Sequence, residues 1–383
     1  MILLLLACNA EDPTPPQPAL GPWTQVVPGD GLPSEITPQQ ANNNLDVTWH
    51  DGEVFLAFRT APDHFASDQV RLYAARSADE QTWTFEGEWF MATDLREPRL
   101  LSWDGRLFLY FAVLGTDRLD FEPQGTMVTI REPDGTWTEP AWLFQNGFIP
   151  WRVRVVDGVP MMIGYTGGDD IYDVDELPAI EVQWLRSGDG LSWEPVVPGQ
   201  PTVETGGGSE TDFAILEDGA VVAVTRNEAG DELGWGSKVC RAEADALGDW
   251  RCEPDPRKYD SPLVFTASGR VWLIGRRNVT EDGHYDLGRR DMDHQDQTLH
   301  YEIAYWQEPK RCALWEVDPD ALSVEFVMDL PSRGDTCFPS ALPLGEDRFA
   351  IYNYTSDPEG PDISWLDGQN GPTVILRQEL GFE

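Results

Sequence analysis

Charged side chains open short apolar runs at five points of this 383-residue chain. Glu97 and Arg99 stand in Arg96-Glu97-Pro98-Arg99, and Arg152 follows Trp151 in Pro150-Trp151-Arg152. Glu210 and Asp212 flank Thr211, Asp260 opens Asp260-Ser261-Pro262, and Asp335 opens Asp335-Thr336. Arg59, Arg226, Arg276 and Arg277 close runs of the same kind. Carboxylates and arginines gathered together either neutralise one another as buried ion pairs or serve a ligand. Two carboxyls flanking a sugar are what glycoside cleavage needs, one giving a proton and the other acting as base or nucleophile. Arginine forks pair with carboxylates bidentately, which points to an acidic sugar. Trp151 could stack on a sugar face, although most of the 16 Trp are expected in the core. The ligand reading is the one adopted, with Glu97, Asp260 and Asp335 as competing carboxylates beside Glu210.

Other chemistry is weaker. His64, in the loop after Arg59, could shuttle protons or simply bind backbone. The acidic loops from Gly167 to Glu176 and from Asp291 to Asp296 carry oxygen ligands that suit Ca²⁺. Neither keeps a calcium-loop spacing, so solvated acidic surface is the plainer reading; no cofactor or metal is assigned and a structural Ca²⁺ stays open. No Ser/His/Asp elbow, phosphate-cradling glycine loop or dinucleotide fingerprint is present.

The elements that would position these residues come from a repeat. Asp-Gly or a near variant lies between two apolar runs at Asp51-Gly52, Asp104-Gly105, Asp157-Gly158 and Asp218-Gly219, then at Ser268-Gly269 and Glu346-Asp347. Asp-Gly between runs of β-branched and aromatic residues signals a tight hairpin. A period of roughly 40–55 residues with four strands per unit is the signature of a β-propeller. Six units begin near Asn44, Arg96, Pro150, Glu210, Asp260 and Asp335. The fold expected is all-β, a single six-bladed propeller over residues 21–383. Residues from Pro22 to Val27 would supply the outer strand missing from the sixth blade, so that no edge stays open. The residues opening each unit then converge on one mouth of the central funnel. No sustained helical period is visible, and the segment from Val279 to Trp306 reads as an insertion that could overhang that mouth.

Composition limits the partners. With 27 Lys+Arg against 67 Asp+Glu the net charge is −40, which repels nucleic acid and anionic membranes. Only Lys238, Lys258 and Lys310 are lysines, so the cations are almost all arginine forks. The start, Met1-Ile2-Leu3-Leu4-Leu5-Leu6-Ala7-Cys8, is too short to span a bilayer. Leu5-Leu6-Ala7-Cys8 resembles the end of a bacterial lipoprotein signal, which implies lipid on Cys8, residues 1–20 as signal remnant and Pro-rich linker, and a location in the cell envelope as a lipoprotein or, without the lipid, secretion. The expected chain is a monomer that meets membrane only through that lipid. Four further cysteines remain, and an even number in an exported chain suggests two disulfides among three possible connectivities. Cys240 with Cys252 across a turn is the simplest pair, leaving Cys312 with Cys337.

Ser77-Ala78-Asp79-Glu80-Gln81-Thr82-Trp83 and Ser187-Gly188-Asp189-Gly190-Leu191-Ser192-Trp193 resemble the Asp-box of the sialidase-like superfamily. Glu210 through Gly219, followed by Val224-Thr225-Arg226-Asn227, is similar to a sialidase phrase. By that resemblance Glu210 would polarise a tyrosine nucleophile and Arg226 would hold a substrate carboxylate. Asp68, after Phe58-Arg59, would fall in the loop that carries the acid/base Asp, which makes Glu210 and Asp68 the leading catalytic pair. Phe338 falls where the family places its tyrosine, so sialidase chemistry would need Tyr352 or Tyr354 instead. The resemblance implies a carbohydrate-active protein, a glycoside hydrolase or a glycan- or protein-binding propeller.

Overall fold

The computed structural model describes residues 17–169, 171 and 179–382. Cys8, and Asp170 and Tyr172–Glu176 of the first acidic loop, lie outside the described residues. Six antiparallel sheets follow one another along the chain. Blade 1 runs outward from the axis as Ala41–His50, Glu53–Ala61, Arg71–Ser77 and Thr84–Trp89, and blade 2 as Leu95–Trp103, Arg106–Val113, Gly125–Arg131 and Ala141–Phe144. Blade 3 has Ile149–Val156, Val159–Thr166, Ile180–Ser187 and Trp193–Pro195, with Thr202–Gly206 as an extra strand on Ile180–Ser187. Gly208–Ile215, Val221–Asn227, Lys238–Ala242 and Arg251–Pro254 form blade 4. Blade 5 comprises Leu263–Ala267, Arg270–Asn278, Lys310–Asp318 and Ser323–Asp329.

Blade 6 closes the ring. Ser340–Gly345, Arg348–Thr355 and Val374–Phe382 come from the end of the chain, and Pro18–Val27 pairs with Val374–Phe382 as the outer strand. The closing strand thus begins at Pro18, ahead of the expected Pro22 and inside the segment read as linker. Pro is tolerated on an edge strand, where its missing N–H faces outward.

The inner hairpins turn as the sequence requires. Both turn residues have positive φ at Asp51-Gly52 (50° and 81°), Asp104-Gly105 (51° and 69°), Asp157-Gly158 (49° and 79°) and Ser268-Gly269 (48° and 70°). This is the two-residue geometry whose twist matches paired strands. The blades pack face to face through side chains such as Leu72 and Trp89 of blade 1 against Leu100, Leu107 and Leu109 of blade 2. Each such buried side chain contributes about 1.5–3 kcal/mol.

Two disulfides form, one within a blade and one between neighbouring blades. Cys240 and Cys252 are register partners within blade 4. Cys312, on the third strand of blade 5, joins Cys337 just ahead of the inner strand of blade 6. In both Ser-x-Asp turns the carboxylate caps the backbone. Asp189 accepts from the N–H groups of Leu191 (2.7 Å) and Ser192 (2.6 Å), and Asp79 from those of Gln81 (2.9 Å) and Thr82 (2.8 Å).

The insertion after blade 5's second strand departs from the expectation of no helix. Helix α1, His294–Gln307, forms there, and its N-cap Asp293 accepts from the Asp296 N–H at 2.9 Å. The second acidic loop therefore spends a carboxylate on helix capping. Tyr301 and Tyr305 face inward against Trp235 and Tyr285, while Leu299, Ile303 and Trp306 face outward. The apolar positions thus lie on both faces, which is why no periodic stripe was legible. Helix α2, Trp365–Gln369, sits beside it.

Candidate active site at the propeller axis

The inner strands are bulged where they reach the axis. The ladder skips Asn44 in blade 1, Glu97 and Pro98 in blade 2, Trp151 in blade 3, and Ser209 and Glu210 in blade 4. Asn44 (φ 39°) and Glu97 (φ 50°) are also held in the left-handed region, as are Ser261 (55°) and Cys337 (77°) just ahead of the inner strands of blades 5 and 6. That backbone costs on the order of 1–3 kcal/mol per residue and clusters at functional sites. A bulge re-aims a side chain. In blades 1 to 4 the bulge falls at or beside the residue that opens the unit.

One half of the mouth is an ion-pair cluster around Arg226. The Arg226 guanidinium donates to Glu210 and to Glu228, and its Nε lies 3.0 Å from Asp260. Lys258 pairs with Glu228 at 2.6 Å. Asp260 also accepts from Tyr305 of α1 and, at 3.2 Å, from Arg276. The second Glu210 oxygen accepts the Ser261 N–H at 2.7 Å. Half-buried Glu302 of α1 belongs electrostatically to the same group. Four carboxyls thus share the cations Arg226, Lys258 and Arg276. Burial, opposed by Arg226 and aided by Asp260 and Glu97, pushes Glu210 up to about 7. Burial and Glu228 push Glu302 up to about 7 as well. Asp260 goes the other way, to about 2, because Arg226, Lys258 and Arg276 outweigh its burial.

Across the mouth, Asp335 accepts from the Tyr354 hydroxyl at 2.8 Å and lies 2.7 Å from His64 Nδ1. Arg276 ties the halves together by donating to the Thr336 carbonyl at 2.7 Å. Glu97 stands between them and accepts from Asn44 Nδ2 at 2.9 Å through one oxygen. Its other oxygen is buried without a hydrogen-bond partner, and so are all three nitrogens of Arg99, the nearest of which is 3.9 Å away. The Arg99 guanidinium instead packs on the rings of Trp151 (5.1 Å) and Phe338 (4.6 Å). Burial, with Arg152 adding to it, lowers Arg99 to about 9. Buried polar atoms left open in this way mark a place for water or a ligand group.

Below this level the charges are consumed by the fold. Arg152 donates to the carbonyls of Pro262 (2.7 Å) and Pro339 (3.0 Å). Asp212 accepts from Arg154 and from the Val264 N–H at 2.7 Å. The mouth itself offers a ligand the partly exposed side chains His64 (15%), Glu97 (13%), Arg226 (12%) and Glu210 (10%), whereas Asp212, Asp260 and Asp335 are covered. A cleft of about 770 Å³ lies elsewhere, at the seam of blades 6 and 1, lined by Asp79, Glu80, Arg377 and Glu379. Its charges already pair with one another, Arg377 with Glu80 and Glu379. The chemistry is therefore read from the axis.

Several sequence expectations change at this point. Asp68 is exposed in a turn, while His64 of the same loop reaches Asp335, so the loop brings a different side chain to the mouth. Arg59 is buried and committed to Asp94 (2.9 Å), Asn43 and the Phe65 carbonyl, positioning that loop. Arg277 leaves the axis for Asp329 at 2.6 Å. Trp151 lies edge-on to Phe338 and is buried, which removes it as an open sugar platform. Of the tyrosines weighed as nucleophiles, Tyr352 turns to Glu80 at 2.6 Å and Tyr354 is buried on Asp335. Glu228, Lys258, Tyr305 and Glu302 were missed. No motif carried them; they arrive through the second strand of blade 4, the loop before blade 5, and α1.

No family model matches the chain, and no curated protein does. Solved structures do. A protein of unknown function from Dyadobacter fermentans is 17% identical, with a TM-score of 0.60 over 90% of this chain and 95% of that one. Trypanosoma rangeli sialidase in complex with sialic acid is 13% identical, with a TM-score of 0.56 over 88% of this chain and 54% of that one. A Hadza microbial sialidase is 14% identical, with a TM-score of 0.54 over 88% and 65%. The chain spans roughly half to two thirds of the sialidase chains it matches. At these identities the likeness is one of fold, a sialidase-like propeller.

Proposed function

We propose that the chain is a glycoside hydrolase acting on an acidic sugar at the mouth of the propeller axis. Glu210 carries the reading: a partly exposed carboxyl at about 7 beside Arg226 can hold a proton for a leaving oxygen at neutral pH. Arg226, partly exposed at the mouth, supplies positive charge for the sugar carboxylate. The sialidase-like fold supports the substrate class by analogy only. The two disulfides support an oxidising compartment, and the Leu5-Leu6-Ala7-Cys8 phrase supports a lipid on Cys8 at the cell envelope.

The test is incubation of the purified chain with sialylated and uronic-acid glycans, followed by mass spectrometry of released sugar. Release of an acidic monosaccharide is expected; release of neutral sugars alone would contradict the role of Arg226. A second reading, a glycan-binding propeller without turnover, is favoured by one observation: Arg226 fills the space among Glu210, Glu228 and Asp260. Saturable binding with no released sugar would select it.

A further inference from the structure

Glu210 suits proton donation, but hydrolysis also needs a group that takes a proton from water, and the carboxyls at the mouth do not fit that task. Glu97 is raised by burial, like Glu210, and Asp260 and Asp335 are covered. His64 remains. Its backbone is fixed on both sides: the N–H donates to the Gln369 carbonyl at 3.1 Å, and the carbonyl accepts from Arg96 at 2.7 Å. Its ring lies between Tyr354 and Trp365, with centroids 6.4 and 6.2 Å away. Nδ1 is 2.7 Å from Asp335 Oδ2, whose other oxygen already accepts from Tyr354.

A carboxylate can only accept, so Nδ1 carries the proton in the neutral ring and Nε2 keeps a free lone pair. Asn43 Nδ2, also a donor, therefore stays 3.4 Å from Nδ1. A buried carboxylate behind an imidazole that stays partly exposed is the arrangement of an oriented base.

We propose that His64, oriented by Asp335, is the base that activates the nucleophilic water in the reaction proposed above, on which this assignment rests. Water gives a proton to Nε2 while its oxygen bonds the anomeric carbon. The glycosidic C–O bond breaks, and the leaving oxygen keeps the electron pair and takes the proton of Glu210. The imidazolium proton then returns to Glu210 through solvent, leaving a free sugar and an alcohol. The groups against the ring are Asp335 and Tyr354 from blade 6, Asn43 from blade 1 and uncharged Trp365 from α2, with Arg96 of blade 2 and Arg59 of blade 1 acting on it electrostatically. Burial, with Arg96 and Arg59, outweighs Asp335 and lowers the ring below its ordinary value, which keeps the base form at neutral pH.

Two measurements on the full chain test this. Nitrogen-15 NMR of the histidine rings should show His64 as the Nδ1–H tautomer at neutral pH; the Nε2–H tautomer overturns the assignment whatever the substrate. On an aryl glycoside of an acidic sugar that the wild type cleaves, His64→Gln should lower kcat about 100-fold or more with little change in KM. Added imidazole should restore part of the rate, which a merely structural histidine would not allow. Full activity in His64→Gln, or an unsaturated product showing elimination instead of hydrolysis, overturns the assignment. Absence of turnover by the wild type would overturn the hydrolase reading itself and, with it, the base.

Discussion

Glu97 shows how much a single residue discloses. It sits in left-handed backbone, in a bulge, with one carboxyl oxygen open beside an arginine that has no hydrogen-bond partner. Strain and open polar atoms are each costly, and both persist at the same point. At this scale the protonation of Glu210 makes a stability prediction. Held at about 7 against an ordinary 4.5, it keeps its proton in the folded chain where the unfolded chain has lost it. The folded state binds more protons in that interval, so stability falls as pH rises from 4.5 towards 7. Glu302 adds a slope of the same sign. Asp260, depressed to about 2, stabilises above its ordinary 3.8 and loses that contribution below it, outside this window. His64 and His50, lowered by burial from an ordinary 6.5, and Lys310, pushed down to about 6, give slopes of the opposite sign. The Glu210 contribution is therefore read as a difference: across that range the melting midpoint should fall more, or rise less, with pH in the wild type than in Glu210→Gln. An unchanged slope would show that Glu210 ionises normally.

At the scale of the element, turns were legible and loops were not. Asp-Gly and Ser-Gly favour these φ values, so four of the hairpin turns could be read locally, and Gly105→Ala should cost about 1 kcal/mol in a chemical denaturation. The loop after Arg59 could not be read that way. Which of His64 and Asp68 faces the axis depends on Arg59 reaching Asp94 and on Arg96 reaching the His64 carbonyl, contacts with the next blade. Helix α1 hid for a related reason, its inward side being tyrosines bonded to charged groups and not an apolar stripe. The Cys312–Cys337 bridge works at this scale too. It fastens the segment carrying Asp335 and Phe338 to blade 5 across 25 residues of sequence. Replacing both cysteines by Ser should cost about 3 kcal/mol on loop-closure grounds, read from the melting midpoint. It should also loosen Asp335, read as faster amide exchange there. An unaltered midpoint and exchange would show that the strands alone hold the segment.

For the whole molecule, closure and charge are the controlling quantities. The ring is sealed by a ladder from Pro18–Phe382 to Val27–Ile375. Glu80 reinforces the seam; it takes a left-handed turn position (φ 58°) while its carboxylate binds Arg377 at 3.1 Å and Tyr352 at 2.6 Å. Deleting residues 1–27 should expose the edge of Val374–Phe382 and produce a less stable, self-associating chain on gel filtration. A stable monomer would show that closure is dispensable. A net charge of −40 also opposes compaction. Raising salt to about 0.15 M, where charges beyond about 8 Å are screened, should raise the melting midpoint. The propeller was legible in the sequence because its period is carried by local turns. The site was legible only in part, since its charges were visible but their pairing across six blades was not.

The most direct measurement compares wild type with Glu210→Gln on a glycan from which the wild type releases sugar, recording turnover and binding side by side. The expected result is loss of turnover with binding retained, because Gln keeps the shape and the acceptor oxygen but has no proton to give. Turnover at the wild-type rate would place the chemistry away from the axis mouth and contradict the assignment.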